Sequence, residues 1–190
     1  MNKSVFKFNV HDMVEIAMLC ALAIVLDRFL KIPLGPTGGS LNLSMLPIFF
    51  INLRHGWFKG FIAGGIIYGF TTCLLDGYGL VCYPLEYFVA FGSSCILGIF
   101  AKYINKNFNT SKGLAMSFVI VILSVLSWAT IRFFAASIDS VLIYGYDFKA
   151  AMLYNLPYVY ISAIGCLVIL LGLLYLIVKL NKIYPTSYLK

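Results

Sequence analysis

Within an apolar run near the middle of the chain, Tyr83-Pro84-Leu85-Glu86-Tyr87 places one carboxylate between two tyrosines. An ionisable group inside a hydrophobic span is costly, and by default it faces a polar cavity, a partner or a bound solute. A later run brings Tyr154, Asn155, Tyr158 and Ser162 near one helical face, and another carries Trp128, Arg132, Ala136 and Asp139 at helical spacing. Arg132 and Asp139 stand two turns apart, where they either neutralise each other or frame a ligand. Carboxylate, aromatic faces and an amide together suit a flat, cationic, hydrogen-bonding solute, because ring faces attract cations and carboxylates accept from amino groups. An ordinary interfacial belt would explain the tyrosines but not Glu86 and Asn155 within spans.

Other chemistry is poorly served. There is no metal-ligand cluster, no phosphate-cradling glycine loop and no nucleophile with an evident base, and both histidines, His11 and His55, lie far from Glu86 in the expected topology. The chain is therefore expected to be no enzyme and to hold no metal or cofactor. No nucleotide motif occurs, so ATP-driven transport would need its motor on another chain. Cys20, Cys73, Cys82, Cys95 and Cys166 lie in or beside apolar runs and read as small buried hydrophobes.

The elements that must position these groups are membrane helices. The chain is 190 residues long, 62% hydrophobic and only 11% charged, whereas soluble domains are roughly 25% charged. At about 20 residues per crossing, the expected architecture is an all-α bundle of six transmembrane helices in one integral membrane domain over residues 1–190. The spans are expected at about 12–30, 41–53, 61–75, 81–103, 113–140 and 148–179. The polar segment Met1 to His11 precedes a first span read as retained and not as a cleaved signal.

Residues 31–40 hold two prolines and three glycines and form either a plain connector or a lid-like loop between helices 1 and 2. Pro47 is expected to break the short second span, residues 54–60 to form a tight basic turn with His55 at the interface, and 102–112 to be a polar connection. Ala17 and Ala21, four apart on the first span, mark a face that another helix can approach closely. From spacing alone, packing inside the same bundle is the favoured reading of that face.

The net charge of +7 does not indicate nucleic acid, because the basic residues sit between apolar runs and not along a polar helix face. With six spans both termini share a side, and on that side fall Lys3, Lys7, Arg54, Lys59, Lys102, Lys106, Lys112, Lys179, Lys182 and Lys190. The positive-inside rule makes it the cytoplasm. Asp27, Asp76, Glu86, Asp139 and Asp147 then lie at or near outer ends of spans, together with Tyr78, Tyr83, Tyr87, Tyr144, Tyr146, Tyr154, Asn155 and Tyr158.

Several stretches also occur in the order and spacing of one family: Glu15 to Ala23, Gly38 to Ile48, Leu53-Arg54-His55-Gly56 and Leu85-Glu86-Tyr87. From Val14 to about Leu174 the chain resembles the thiamine-specific substrate-binding subunit, or S-component, of energy-coupling factor transporters. The resemblance implies a prokaryotic plasma-membrane subunit that binds thiamine or a thiamine precursor in an outer pocket closed by the loop between the first two spans. It implies a transmembrane coupling subunit docked on Ala17 and Ala21, and two ATPase subunits that use ATP. It places Glu86, Tyr87 and Asn155 on the family's ligand-binding positions, Tyr144 where a stacking tryptophan can stand, and Tyr78 as a further pocket tyrosine; Tyr158 and Asp139 join them from the residue pattern. Ala136 and Ala150 depart, standing where the family has a histidine and a tyrosine. Two alternatives remain open on the residues themselves: a stand-alone ion-coupled carrier, and a structural membrane subunit in which Glu86 pairs with Arg132.

Overall fold

The computed structural model of the protein describes residues 6, 8–33 and 40–189. Five helical segments carry the fold: α1 (Val10–Phe29), α2 (Met45–Asp76), α3 (Leu80–Asn107), α4 (Ser111–Tyr144) and α5 (Phe148–Ile183). Among the described residues, α2 to α5 are each long and apolar enough to cross a membrane. In α1, Asp12, Glu15, Asp27 and Arg28 lower the apolar character.

The expected second and third spans, 41–53 and 61–75, are the two limbs of α2. The expected seven-residue turn at 54–60 is replaced by a single break at Gly56, whose φ of 80° and ψ of 178° interrupt an otherwise helical segment. That left-handed φ suits glycine. Beyond it the chain folds back: Gly60 lies against Asn52, Gly64 against Ile48, and the Tyr68 hydroxyl bonds to Ser44 Oγ at 2.7 Å, so the limbs run antiparallel. Pro47 does not break the first limb, because it occupies the opening turn, where backbone N–H groups have no helical partner to lose. The polar connection expected over 102–112 shrinks to 108–110, since α3 continues to Asn107.

The second limb meets α3 through small residues. A Cβ placed on Gly65 would stand 3.2 Å from Gly92 Cα, and one on Gly69 would stand 3.1 Å from the Tyr87 carbonyl. Both partners are wound wide here, with π turns over Ile62–Tyr68 and Tyr83–Val89; such turns recur at functional sites because they redirect side chains. Tyr83 donates to the Gly65 carbonyl at 3.0 Å, and the Trp128 indole of α4 donates to the Ala90 carbonyl at 2.8 Å. Trp128 is also edge-on to Phe49 at 5.0 Å, so the core sits where α2, α3 and α4 meet.

At the end bearing the termini, the expected interfacial turn is a buried ionic cluster. Lys59, fully buried, donates to Asp12 Oδ2 and to Ser187 Oγ, each at 2.7 Å, and Ser187 also bonds to Asp12. Arg54 pairs with Glu15 at 2.5 Å and donates to Asn181 Oδ1 at 2.8 Å. His55 is not at the interface: it is buried, 3.2 Å from Glu15. The segment after α5 folds over this cluster, with Thr186 donating to the Arg54 carbonyl and the Tyr188 ring covering Gly56.

Between α1 and α2 the expected lid falls largely on residues 34–39, which lie outside the described residues. Its flanks are β1 (Ile32–Pro33) and β2 (Ser40–Leu41), paired antiparallel with Ile32 opposite Leu41 and Pro33 opposite Ser40.

Candidate functional site

At the end of the bundle remote from the termini, side chains from all five helices and from both strand flanks enclose a cavity of about 370 Å³, within the range of small-ligand sites. All seven residues expected to form a site lie on its wall: Glu86 and Tyr87 from α3, Asp139 and Tyr144 from α4, Asn155 and Tyr158 from α5, and Tyr78 from the turn between α2 and α3.

The wide turn at 83–89 sets Glu86 and Tyr87 on the wall together. Tyr87 is buried and its hydroxyl donates to Asp76 Oδ2 at 3.0 Å, while Asp76 Oδ1 takes Arg28 Nη2 at 2.9 Å. Glu86 is half-buried and, among the described residues, has no hydrogen-bond or ion-pair partner. Asn155 is held on three sides: its Nδ2 donates to Ser137 and Ser140 Oγ at 3.3 and 3.4 Å, and its Oδ1 accepts from Tyr158 at 2.8 Å. An amide oxygen has two lone pairs, so Asn155 keeps one acceptor site for a ligand. Two tyrosine pairs border the cavity: Tyr144 and Tyr146 stack at 6.1 Å and 30°, and Tyr154 meets Tyr158 at 6.0 Å and 63°. Tyr78 is half exposed, and partial desolvation with the Asp76 carboxylate nearby pushes its phenol above its ordinary range.

Arg132 and Asp139 do not pair, and neither does Arg132 with Glu86; among the described residues no ion pair joins them. The Arg132 guanidinium lies over the Phe91 and Trp128 rings at 4.9 and 5.6 Å, and its Nε has no hydrogen-bond partner. The structural alternative that required a Glu86–Arg132 pair is therefore not realised. Asp147 stands outside the cavity and caps α5, accepting from the Lys149 and Ala150 N–H groups at 3.0 and 3.4 Å. Ala136 is buried and Ala150 exposed; neither lines the cavity.

Sequence reasoning missed a polar floor. Asn42 donates to Asp27 Oδ1 at 3.0 Å, its backbone N–H donates to Ser162 Oγ at 3.2 Å, and its Oδ1 accepts from Ser44, which in turn accepts from Tyr68. Asp27, Asn42, Tyr68 and Asp76 all line the cavity. The available signal was the clustering of acids at outer span ends; Asn42 and Tyr68 gave none, since each resembles an ordinary boundary or core residue.

On α1, Ile16, Cys20, Ala23 and Asp27 form the buried face, whereas Ala17 and Ala21 are exposed. Packing inside the same bundle, the reading favoured by spacing, is corrected: the small residues that meet α2 lie on the other face, where the Cys20 thiol approaches the Ala63 carbonyl at 3.9 Å.

Comparison with known proteins adds three findings. A family model described as "Thiamine transporter protein" matches residues 13–184. The thiamine transporter ThiT of Bacillus subtilis (strain 168) is 30% identical over 177 residues, covering 83% of this chain and 87% of that protein. The solved structure of ThiT from Listeria monocytogenes shares the fold, with a TM-score of 0.67 at 23% identity over 94% of this chain and 97% of that one.

Proposed function

From the premise that the chain belongs to the thiamine transporter protein family, we propose that its cavity binds thiamine or a thiamine precursor, and that the chain is the substrate-binding S-component of an energy-coupling factor transporter. The protein is an all-α, multi-pass cell-membrane protein, and its relatives are transport proteins, not enzymes.

The observation that carries the reading is Glu86, a carboxylate on the cavity wall with no hydrogen-bond or ion-pair partner among the described residues, bordered by tyrosine faces. A cationic ring system supplies the missing counter-charge, its face meets the aromatic rings, and an amino group has the free acceptors of Glu86 and Asn155 to donate to. The half-buried Asp76 pair with Arg28 and the Asn155 bonds hold the wall in place before the solute arrives, which limits the ordering cost of binding.

Six crossings fit this chain. The first limb of α2, 45–55, rises about 16 Å as helix, and the segment from β2 (Ser40–Leu41) through Ser44 that leads into it supplies further length toward the hydrocarbon thickness of about 30 Å. The second limb, α1, α3, α4 and α5 supply the other five. The basic residues at the end bearing the termini make that end cytoplasmic and the cavity external. The exposed Ala17 and Ala21 face of α1 would take the transmembrane coupling subunit, and two ATPase subunits would consume the ATP.

Calorimetry with detergent-purified protein tests the ligand. Thiamine or a precursor is expected to bind below about micromolar; if none does, the cavity serves another solute. Proteoliposomes holding this chain alone are expected to bind thiamine without net uptake, and uptake without an ATPase partner would favour a stand-alone carrier.

A further inference from the structure

The cavity contains one buried acid that the proposed binding scheme leaves unused. Among the described residues four carboxylates line it. Asp27 is engaged by Asn42, and Asp76 by Arg28 and Tyr87, with Lys31 Nζ at 3.8 Å. Glu86 is assigned to the cation. Asp139 is only 2% exposed; the Cys82 thiol reaches its carboxylate, but its Oδ1 has no hydrogen-bond partner among the described residues. A buried carboxylate left unsatisfied is costly, and inside a membrane span it points to a solute that completes it.

Its position fixes which part of the solute that is. Asp139 lies two helical turns from Arg132 toward the mouth, about 10 Å along α4. Its neighbours on the wall are Ser140, Tyr144 and Cys82, and the Tyr144 hydroxyl and Cys82 thiol are 3.4 Å apart. None of these is cationic. The two cations that line the cavity among the described residues are elsewhere: Lys31 beside Asp76, and Arg132 over Phe91 and Trp128.

We propose that Asp139 is a specificity-determining residue that accepts a hydrogen bond from the mouth-facing hydroxyl or amino group of the ligand and rejects the phosphate ester of that ligand. This rests on the thiamine-type ligand proposed above. A hydroxyl donates to Asp139 Oδ1 and satisfies it. A phosphate ester offers no donor when fully ionised and sets further negative charge against Asp139 and Glu86, with no cation at that level to offset it.

The test compares thiamine with thiamine monophosphate by calorimetry on the wild type and on Asp139→Asn, which keeps the shape and removes the charge. The wild type is expected to prefer thiamine, and Asp139→Asn to narrow that preference by about tenfold or more, losing affinity for the alcohol and gaining it for the ester. Ligand-free Asp139→Asn is expected to melt no lower than the wild type, since it loses a buried charge that no cation pairs among the described residues. If thiamine binds and the preference is unchanged in Asp139→Asn, the inference is overturned while the thiamine reading stands. If the wild type binds neither compound, the thiamine reading fails and takes this inference with it.

Discussion

The Tyr87 hydroxyl donates to Asp76 at 3.0 Å, and the same carboxylate takes Arg28 of α1 at 2.9 Å. The cavity wall beside Glu86 is thereby tied to the helix whose outer face carries Ala17 and Ala21. Asp76 joins the two, and the substitutions below follow from its position and from the burial of the groups around it.

Tyr87→Phe removes one hydrogen bond and leaves the Asp76–Arg28 pair, so it is expected to cost about 1 kcal/mol of stability. Asp76→Ala leaves both donors without their acceptor and is expected to cost more, about 1–3 kcal/mol. Denaturation followed by tryptophan fluorescence in detergent ranks the two; an equal or reversed order would remove Asp76 from its joining role.

Glu86→Gln keeps the shape and one acceptor but removes the charge. Thiamine affinity is expected to fall by about 1.5–3 kcal/mol, the worth of a charge-assisted hydrogen bond. The ligand-free protein should lose little heat stability, because among the described residues no ion pair joins Glu86 to a cation and only the more distant Arg132 charge acts on it. Calorimetry and thermal shift read the two effects separately.

At the opposite end, Lys59 and Asp12 are a buried pair whose remaining capacity is taken by Ser187. Lys59→Met strands Asp12 and is expected to cost about 3–5 kcal/mol, whereas changing Lys59→Met and Asp12→Leu together should cost much less. A double-mutant cycle on melting in detergent measures the difference. Thiamine affinity of whatever remains folded should not change, since the cluster lies at the other end of the bundle from the cavity.

Gly56→Ala combines a left-handed φ with a Cβ that would sit 2.5 Å from the Tyr188 ring. It is expected to destabilise by more than about 1 kcal/mol. Adding Tyr188→Ala should relieve the clash but not the backbone strain, so recovery should be partial in the same melting assay.

Ala17→Trp and Ala21→Trp alter an exposed face remote from the cavity. Thiamine binding by the isolated chain should be unchanged, and uptake by the reconstituted transporter should be lost. Normal uptake would mean that the coupling subunit docks elsewhere.

The local sequence determined much of this. Apolar runs interrupted by charge and turn residues set the helices to within a few residues, because hydropathy and breakers act over short range. The costs of Glu86 and Asn155 in apolar surroundings marked them as wall residues, and the spacing of Asp139 and Arg132 put both on one face. What that spacing left open was their relationship, which depends on Phe91 and Trp128 drawing the guanidinium over their rings. Tertiary structure alone decided that Gly56 by itself turns the chain, that Ala17 and Ala21 face outward, and that Asn42 and Tyr68 build the cavity floor. It also decided that His55 and Lys59 are buried and not interfacial. A lysine after an apolar run reads as a surface residue until Asp12 and Ser187, far away along the chain, supply the partners that make its burial tolerable, and such long-range pairing leaves no periodicity in the sequence.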